Sequence, residues 1–179
     1  MITFSLVKRT LRVMLYQMVY SFATIIIEGI YGGVWKYRET VKNDGLKAKL
    51  YSHYLLKYSC FIGLGAQFKD IPILPHGFNG IHISNKAIIG RGVTIFQQVT
   101  IGSNSLIDHP RNGSPTIGNN VYIGAGAKII GKVNIGDNCR IGANAVVVKD
   151  MLPNTTAVSS PTRFITNESG LNNDFVPVR

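Results

Sequence analysis

From residue 89 onward a branched aliphatic side chain returns every six positions: Ile89, Ile95 and Ile101, then Ile117, Ile123, Ile129, Ile135, Ile141 and Val147. Glycine follows at 90, 102, 118, 124, 136 and 142, and a small or apolar residue stands four places on at Val93, Val99, Val121, Ala127, Val133, Cys139 and Ala145. A helix fits neither this period nor this much glycine. Six residues instead make one side of a three-sided coil, whose short strand turns its aliphatic inward onto the equivalents in neighbouring coils. Gly118-Asn119-Asn120, Gly136-Asp137-Asn138 and Gly142-Ala143-Asn144 supply corners, where tight or left-handed backbone is required. The pattern predicts an all-β fold, a parallel β-helix, with Cys139 as a small core residue rather than a nucleophile. A weaker frame through Ile62, Phe68, Leu74, Ile81 and Ile83 starts the first coils near residue 61. The register breaks at residues 74–80 and again from Ser103 to Thr116, and these excursions carry His76 and His109.

Before the repeat the pattern is helical. Leu11, Leu15, Met18, Phe22 and Ile25 recur on one face, with Arg12, Tyr16, Gln17, Ser21, Thr24 and Glu28 on the others. The uncharged stretch Val13 to Ile27 follows Lys8, Arg9 and Arg12, is shorter than the roughly 20 residues of a spanning helix, and lacks a small-x-small cleavage site. The stripe is expected to pack on the protein's own body or on a sister subunit. Peripheral membrane contact through Lys8, Arg9 and Arg12 is the alternative. The division is thus a helical region at 1–58, the β-helix at 59–165, and a loosely held tail at 166–179.

Composition narrows the function. In 179 residues, 45% hydrophobic and 16% charged, there is room for one core but not for two large domains, and disorder is excluded. Nineteen basic against nine acidic residues give a formal charge of +10, which points to an anionic partner. No basic run of five and no nucleic-acid-binding signature occurs, so nucleic acid is set aside. Cys60 and Cys139 form neither a disulfide scaffold nor a CxxC zinc motif, which suggests a cytoplasmic location, at the inner face of the membrane if the helix touches lipid. His53, His76, His82 and His109 are scattered without an H-x4-H pair, so no metal site is expected. His82, flanked by Ile81 and Ile83, should point outward by alternation.

Four segments carry a resemblance: Leu74-Pro75-His76-Gly77 with Gly80-Ile81-His82-Ile83; residues 87–95; residues 115–127; and residues 141–150, which end in Val148-Lys149-Asp150. Over about residues 55–165 the chain resembles the hexapeptide-repeat acyltransferases, in the serine acetyltransferase branch that includes small O-acetyltransferases of sugars and surface polysaccharides. The resemblance implies a left-handed β-helix, an exception to right-handed crossovers, and a homotrimer with acetyl-CoA in the groove between neighbouring subunits. It makes His76 the general base, which takes the proton of an acceptor hydroxyl and returns it to the departing thiolate. It places the cofactor along Gly102, Ser103, Ala125, Ala143, Lys149 and Arg163, with Lys149 and Arg163 as phosphate partners. Two departures bear on the acceptor. Serine-acetylating members carry an Asp before the histidine, where Pro75 stands, and an upstream Asp near Ser59-Cys60-Phe61, where no carboxylate occurs. Their Arg-His pair is replaced by Gly113-Ser114 before Pro115, leaving His109 and Arg111 in the same loop to reach the acceptor. With the short helical region, this favours a sugar or cell-surface polysaccharide hydroxyl, with serine as the alternative. A metal-binding protein or a noncatalytic trimeric scaffold is the reading from another class.

Overall fold

The computed structural model describes residues 4–30, 32–41 and 44–160. Helix α1 (Phe4–Thr24) runs on into a π-helical turn (Ile25–Ile30) and is followed by α2 (Val34–Val41) and α3 (Gly45–Leu56). Asp44 caps α3, its side chain accepting from the N–H groups of Leu46 and Lys47 at 3.0 and 3.1 Å.

From Phe61 the chain winds through three parallel sheets. The first face holds β1 (Phe61–Ile62), β3 (His82–Ile83), β6 (Thr100–Gly102), β9 (Lys128–Ile130) and β12 (Val146–Val147). The second holds β2 (Gln67–Phe68), β4 (Ile88–Ile89), β7 (Thr116–Ile117) and β10 (Asn134–Ile135). The third holds β5 (Thr94–Ile95), β8 (Tyr122–Ile123), β11 (Arg140–Ile141) and β13 (Thr156–Ala157). Registers align the repeat: Ile83 pairs with Ile101, Ile101 with Ile129, and Ile129 with Val147. These side chains, and Cys139 among them, are buried, as the six-residue frame requires. The fold is the left-handed parallel β-helix expected from the sequence.

Three edges join the faces. Edge I connects the third face to the first, edge II the first to the second, and edge III the second to the third. Edges I and III are turned by left-handed residues: Gly80, Gln98, Gly126 and Asn144 on edge I, and Gly92, Asn120, Asn138 and Asn154 on edge III. The glycine after the core aliphatic has another cause. A Cβ on Gly90 would collide with the carbonyl oxygen of Gly118 in the next coil.

The helical region plugs the open end of the coil. The Arg38 guanidinium donates to the carbonyls of Gly63, Leu64 and Ala66 and lies 5.0 Å from the Phe68 ring centroid. Trp35 packs on Phe68 and Phe78, and the Tyr51 hydroxyl donates to the carbonyl of Ile62 at 3.1 Å. Burial pushes the Tyr51 hydroxyl and the Cys60 thiol up, the latter to about 12, so Cys60 is an inert packing residue.

Helix α1 departs from expectation. Among its described side chains the buried ones are Ala23 and, in the π turn, Ile27, while Leu11, Leu15, Met18, Phe22 and Ile25 are each more than half exposed. The face turned to α3 carries Tyr20, Ala23, Ile27 and Glu28: Tyr20 meets His53, and the Tyr54 hydroxyl donates to Glu28 Oε1 at 2.7 Å. The apolar stripe therefore does not pack on the chain's own body. The side chains of Lys8, Arg9 and Arg12, residue Arg163 and the tail at 166–179 lie outside what the structure describes.

Candidate active site

His76 sits on edge I, in an excursion shaped by two glycines. The Gly77 N–H donates to Leu74 O at 3.1 Å, closing a turn around Pro75 and His76, and both Gly77 and Gly80 have left-handed φ. Gly80 also lies against Gln98 in the next coil, where a Cβ would come within 3.1 Å of its side chain. The Asn79 amide donates to the His76 carbonyl at 2.9 Å, and the Gln98 N–H to Asn79 O at 2.9 Å, fixing the loop to the coil above.

The imidazole is exposed yet held. Its Nδ1–H donates to Gln97 Oε1 at 2.7 Å, and its ring stands edge-on to Phe96 at 5.3 Å, with Phe96 in turn against Tyr122 at 5.1 Å. Because an amide oxygen accepts that proton, the lone pair is left on Nε2. Gln97 thus takes the orienting role for which no upstream carboxylate is present, and does so as a neutral group. Sequence reasoning missed Gln97, although the repeat held the signal: it lies two positions after Ile95, as Ala125 does after Ile123 and Ala143 after Ile141. The ladder stacks these positions, the Gly126 N–H donating to Gln97 O at 2.9 Å and the Asn144 N–H to Ala125 O at 2.8 Å. Lys128 closes the same edge, its ammonium donating to the carbonyls of Gln98 and Gly126 at 2.8 and 2.7 Å.

The other candidates fall on edge II. Gly102 and Ser103 open the long loop there, and Lys149 lies exposed on the same edge two coils on. The loop neck is closed by paired backbone bonds between Asn104 and Gly113, both 2.9 Å, and by Ser103 and Ser114 hydroxyls 2.7 Å apart. Its exposed tip carries Leu106 and Ile107, the latter 96% exposed, beside Asp108. His109 Nδ1 accepts the Arg111 N–H at 3.0 Å, which leaves the ring's proton on Nε2. Arg111 is engaged within the chain. Its guanidinium donates to Asp150 Oδ1 at 2.7 Å and to Lys132 O at 3.2 Å, stapling the loop to the coil. The Asn134 N–H, first, and Arg111 hold the Asp150 carboxyl below the usual carboxylate range.

Within one chain, then, the structure gathers His76, Ala125 and Ala143 on one edge and Gly102, Ser103, His109, Arg111 and Lys149 on another. A face of about five extended residues, roughly 15–20 Å, separates them.

Comparison with known proteins bears on the fold and its relatives. Residues 114–149 match the model of the bacterial transferase hexapeptide (six repeats) family. The serine acetyltransferase of Mycobacterium tuberculosis is 44% identical over 86 residues, covering 48% of this chain and 37% of that protein. That of Helicobacter pylori is 42% identical over 104 residues, 58% of this chain and 59% of its own length. The crystal structure of serine acetyltransferase isoform 3 from Entamoeba histolytica, in complex with cysteine, superposes with a TM-score of 0.64 at 27% identity, covering 76% of this chain and 50% of that one. The chain spans about half the length of the relatives it matches, and their names back the serine alternative rather than the sugar preference drawn from the sequence. Residues 114–149 thus match the bacterial transferase hexapeptide model, the coil described from Phe61 onward carries the same six-residue repeat, and the relatives named above, by sequence and by fold, are serine acetyltransferases.

Proposed function

We propose that the chain is an acetyl-CoA-dependent O-acetyltransferase that works as a homotrimer, with His76 as general base. The observation that carries this reading is the His76–Gln97 hydrogen bond, which presents a basic Nε2 on an open edge. Nε2 takes the proton of an acceptor hydroxyl as its oxygen attacks the thioester carbonyl. The tetrahedral intermediate then collapses, the C–S bond breaks, and the imidazolium returns the proton to the CoA thiolate. Acetyl-CoA lies along the seam where edge I of one subunit meets edge II of the next, with Ala125 and Ala143 on one side and Gly102, Ser103 and Lys149 on the other. Arg163 extends the phosphate contacts.

The relatives favour serine as acceptor. One observation favours a sugar hydroxyl: edge I, formed by residues 74–80, 96–98, 124–126 and 142–144, carries no Asp or Glu to hold the serine ammonium. Serine would need a carboxylate from across the seam, and exposed Asp108 is the one the loop offers.

The test measures thiol release from acetyl-CoA with L-serine and with a panel of sugars. His76→Ala should lower turnover roughly 100- to 10,000-fold with the true acceptor; an unchanged rate would remove the base from the mechanism. Asp108→Asn should raise the serine KM if serine is the substrate and leave a sugar's KM unmoved.

A further inference from the structure

The outward face of α1 and the π turn is apolar and uncovered in the single chain. Leu11, Leu15, Met18, Phe22, Ile25 and Ile30 are 56–71% exposed. At 3.6 residues per turn the first five of these fall within an arc of about 80°. The opposite side is committed to α3 through Tyr20, Ala23, Ile27 and the Glu28–Tyr54 hydrogen bond.

Charge decides what covers this face. Lys8, Arg9 and Arg12 flank the start of the stripe, and the first acidic residue in the chain is Glu28, already engaged by Tyr54. Residues 1–58 hold nine of the 19 basic side chains and three of the nine acidic ones. Lys57 adds a further cation beside α1, in an open hollow of about 670 Å³ shared with Gln17, Ser21 and Thr24. Two copies meeting along these stripes would bring like charges together with no free acid among residues 1–27 to neutralise them. An anionic bilayer supplies both the apolar medium and the counter-charge.

We propose that α1 docks this chain on an anionic lipid bilayer, lying in the plane of the interface with its apolar stripe among the acyl chains and the coil held above. Val13–Ile30 is long and apolar enough by length and composition to cross a membrane. An in-plane helix is favoured because crossing would strip Tyr20, Ile27 and Glu28 from α3. This inference stands apart from acetyl transfer.

Co-sedimentation of the full chain with phosphatidylcholine vesicles, with and without phosphatidylglycerol, tests it. Binding should require phosphatidylglycerol and weaken with salt. The combined variant Leu15→Glu/Met18→Glu/Phe22→Glu changes only exposed positions and should lower the partition coefficient at least about a hundredfold. Its mass by light scattering and its circular dichroism should stay unchanged. Lys8→Ala/Arg9→Ala/Arg12→Ala should lower it roughly fivefold per charge removed. Failure to bind the anionic vesicles, equal binding to neutral ones, or indifference to both variants would overturn the proposal. So would dissociation of the oligomer by the triple glutamate variant, which would show that the stripe is covered by a second copy.

Discussion

The bond from His76 to Gln97 decides which ring nitrogen is basic, so its loss should be felt in chemistry before binding. Gln97→Leu keeps the bulk and removes the acceptor. It should lower kcat roughly ten- to hundredfold while the KM for acetyl-CoA holds. Gln97→Glu should restore turnover and move the acidic limb of the kcat/KM profile to higher pH, because a carboxylate beside the ring favours imidazolium. A Leu variant with the parent's kcat and pH profile would show the amide to be incidental. The Leu-Pro-His-Gly motif singled out His76, and the structure places it exposed on edge I. Gln97 could be placed on its edge as the second residue after a core aliphatic, like Ala125 and Ala143, but that it meets the imidazole depended on how residues 74–80 fold back onto the next coil. The Arg111 ion pair was hidden for a related reason: a basic residue in a loop gives no sign in the sequence that Asp150, 39 positions on, will engage it.

At the scale of the element, Asp150 ties three segments together. Its Oδ1 accepts from the Asn134 N–H at 2.8 Å and from Arg111 at 2.7 Å, so the carboxylate anchors the long loop to β10 and to the turn after β12. Its folded pKa is lowered, so its contribution is present above the ordinary carboxylate pKa and is lost as pH falls through the depressed value. Loop anchorage should therefore survive mild acid and fail only below the usual carboxylate range. Asp150→Asn should melt below the parent at neutral pH, with the two Tm curves converging in strong acid; parallel curves would assign the difference to packing. The strands themselves were legible because stacking imposes a strict period. The loop was legible only as an interruption of that period, since its internal bonds, such as the Asn112 amide to Leu106 O, follow no repeat.

For the whole molecule, periodicity identified α1 as amphipathic but could not say which face would meet the body. Burial of Ala23 and Ile27 rather than Phe22 and Ile25 follows from close approach to α3, a contact between segments far apart in sequence. The same separation of scales governs catalysis. Edge I holds the proposed base and edge II the loop, roughly 15–20 Å apart on one chain, so the proposed cyclic trimer would build each site from two different subunits. His76→Ala spoils edge I and leaves edge II intact; shortening residues 105–112 does the reverse. Each variant alone should be slow at low acceptor concentration. Coexpressed in equal amounts, three in four trimers are mixed, and each mixed ring contains one seam with both edges sound. Activity should then return to roughly a quarter of the parent rate. Sites built within single chains would show no recovery in the mixture, since every chain would carry one lesion.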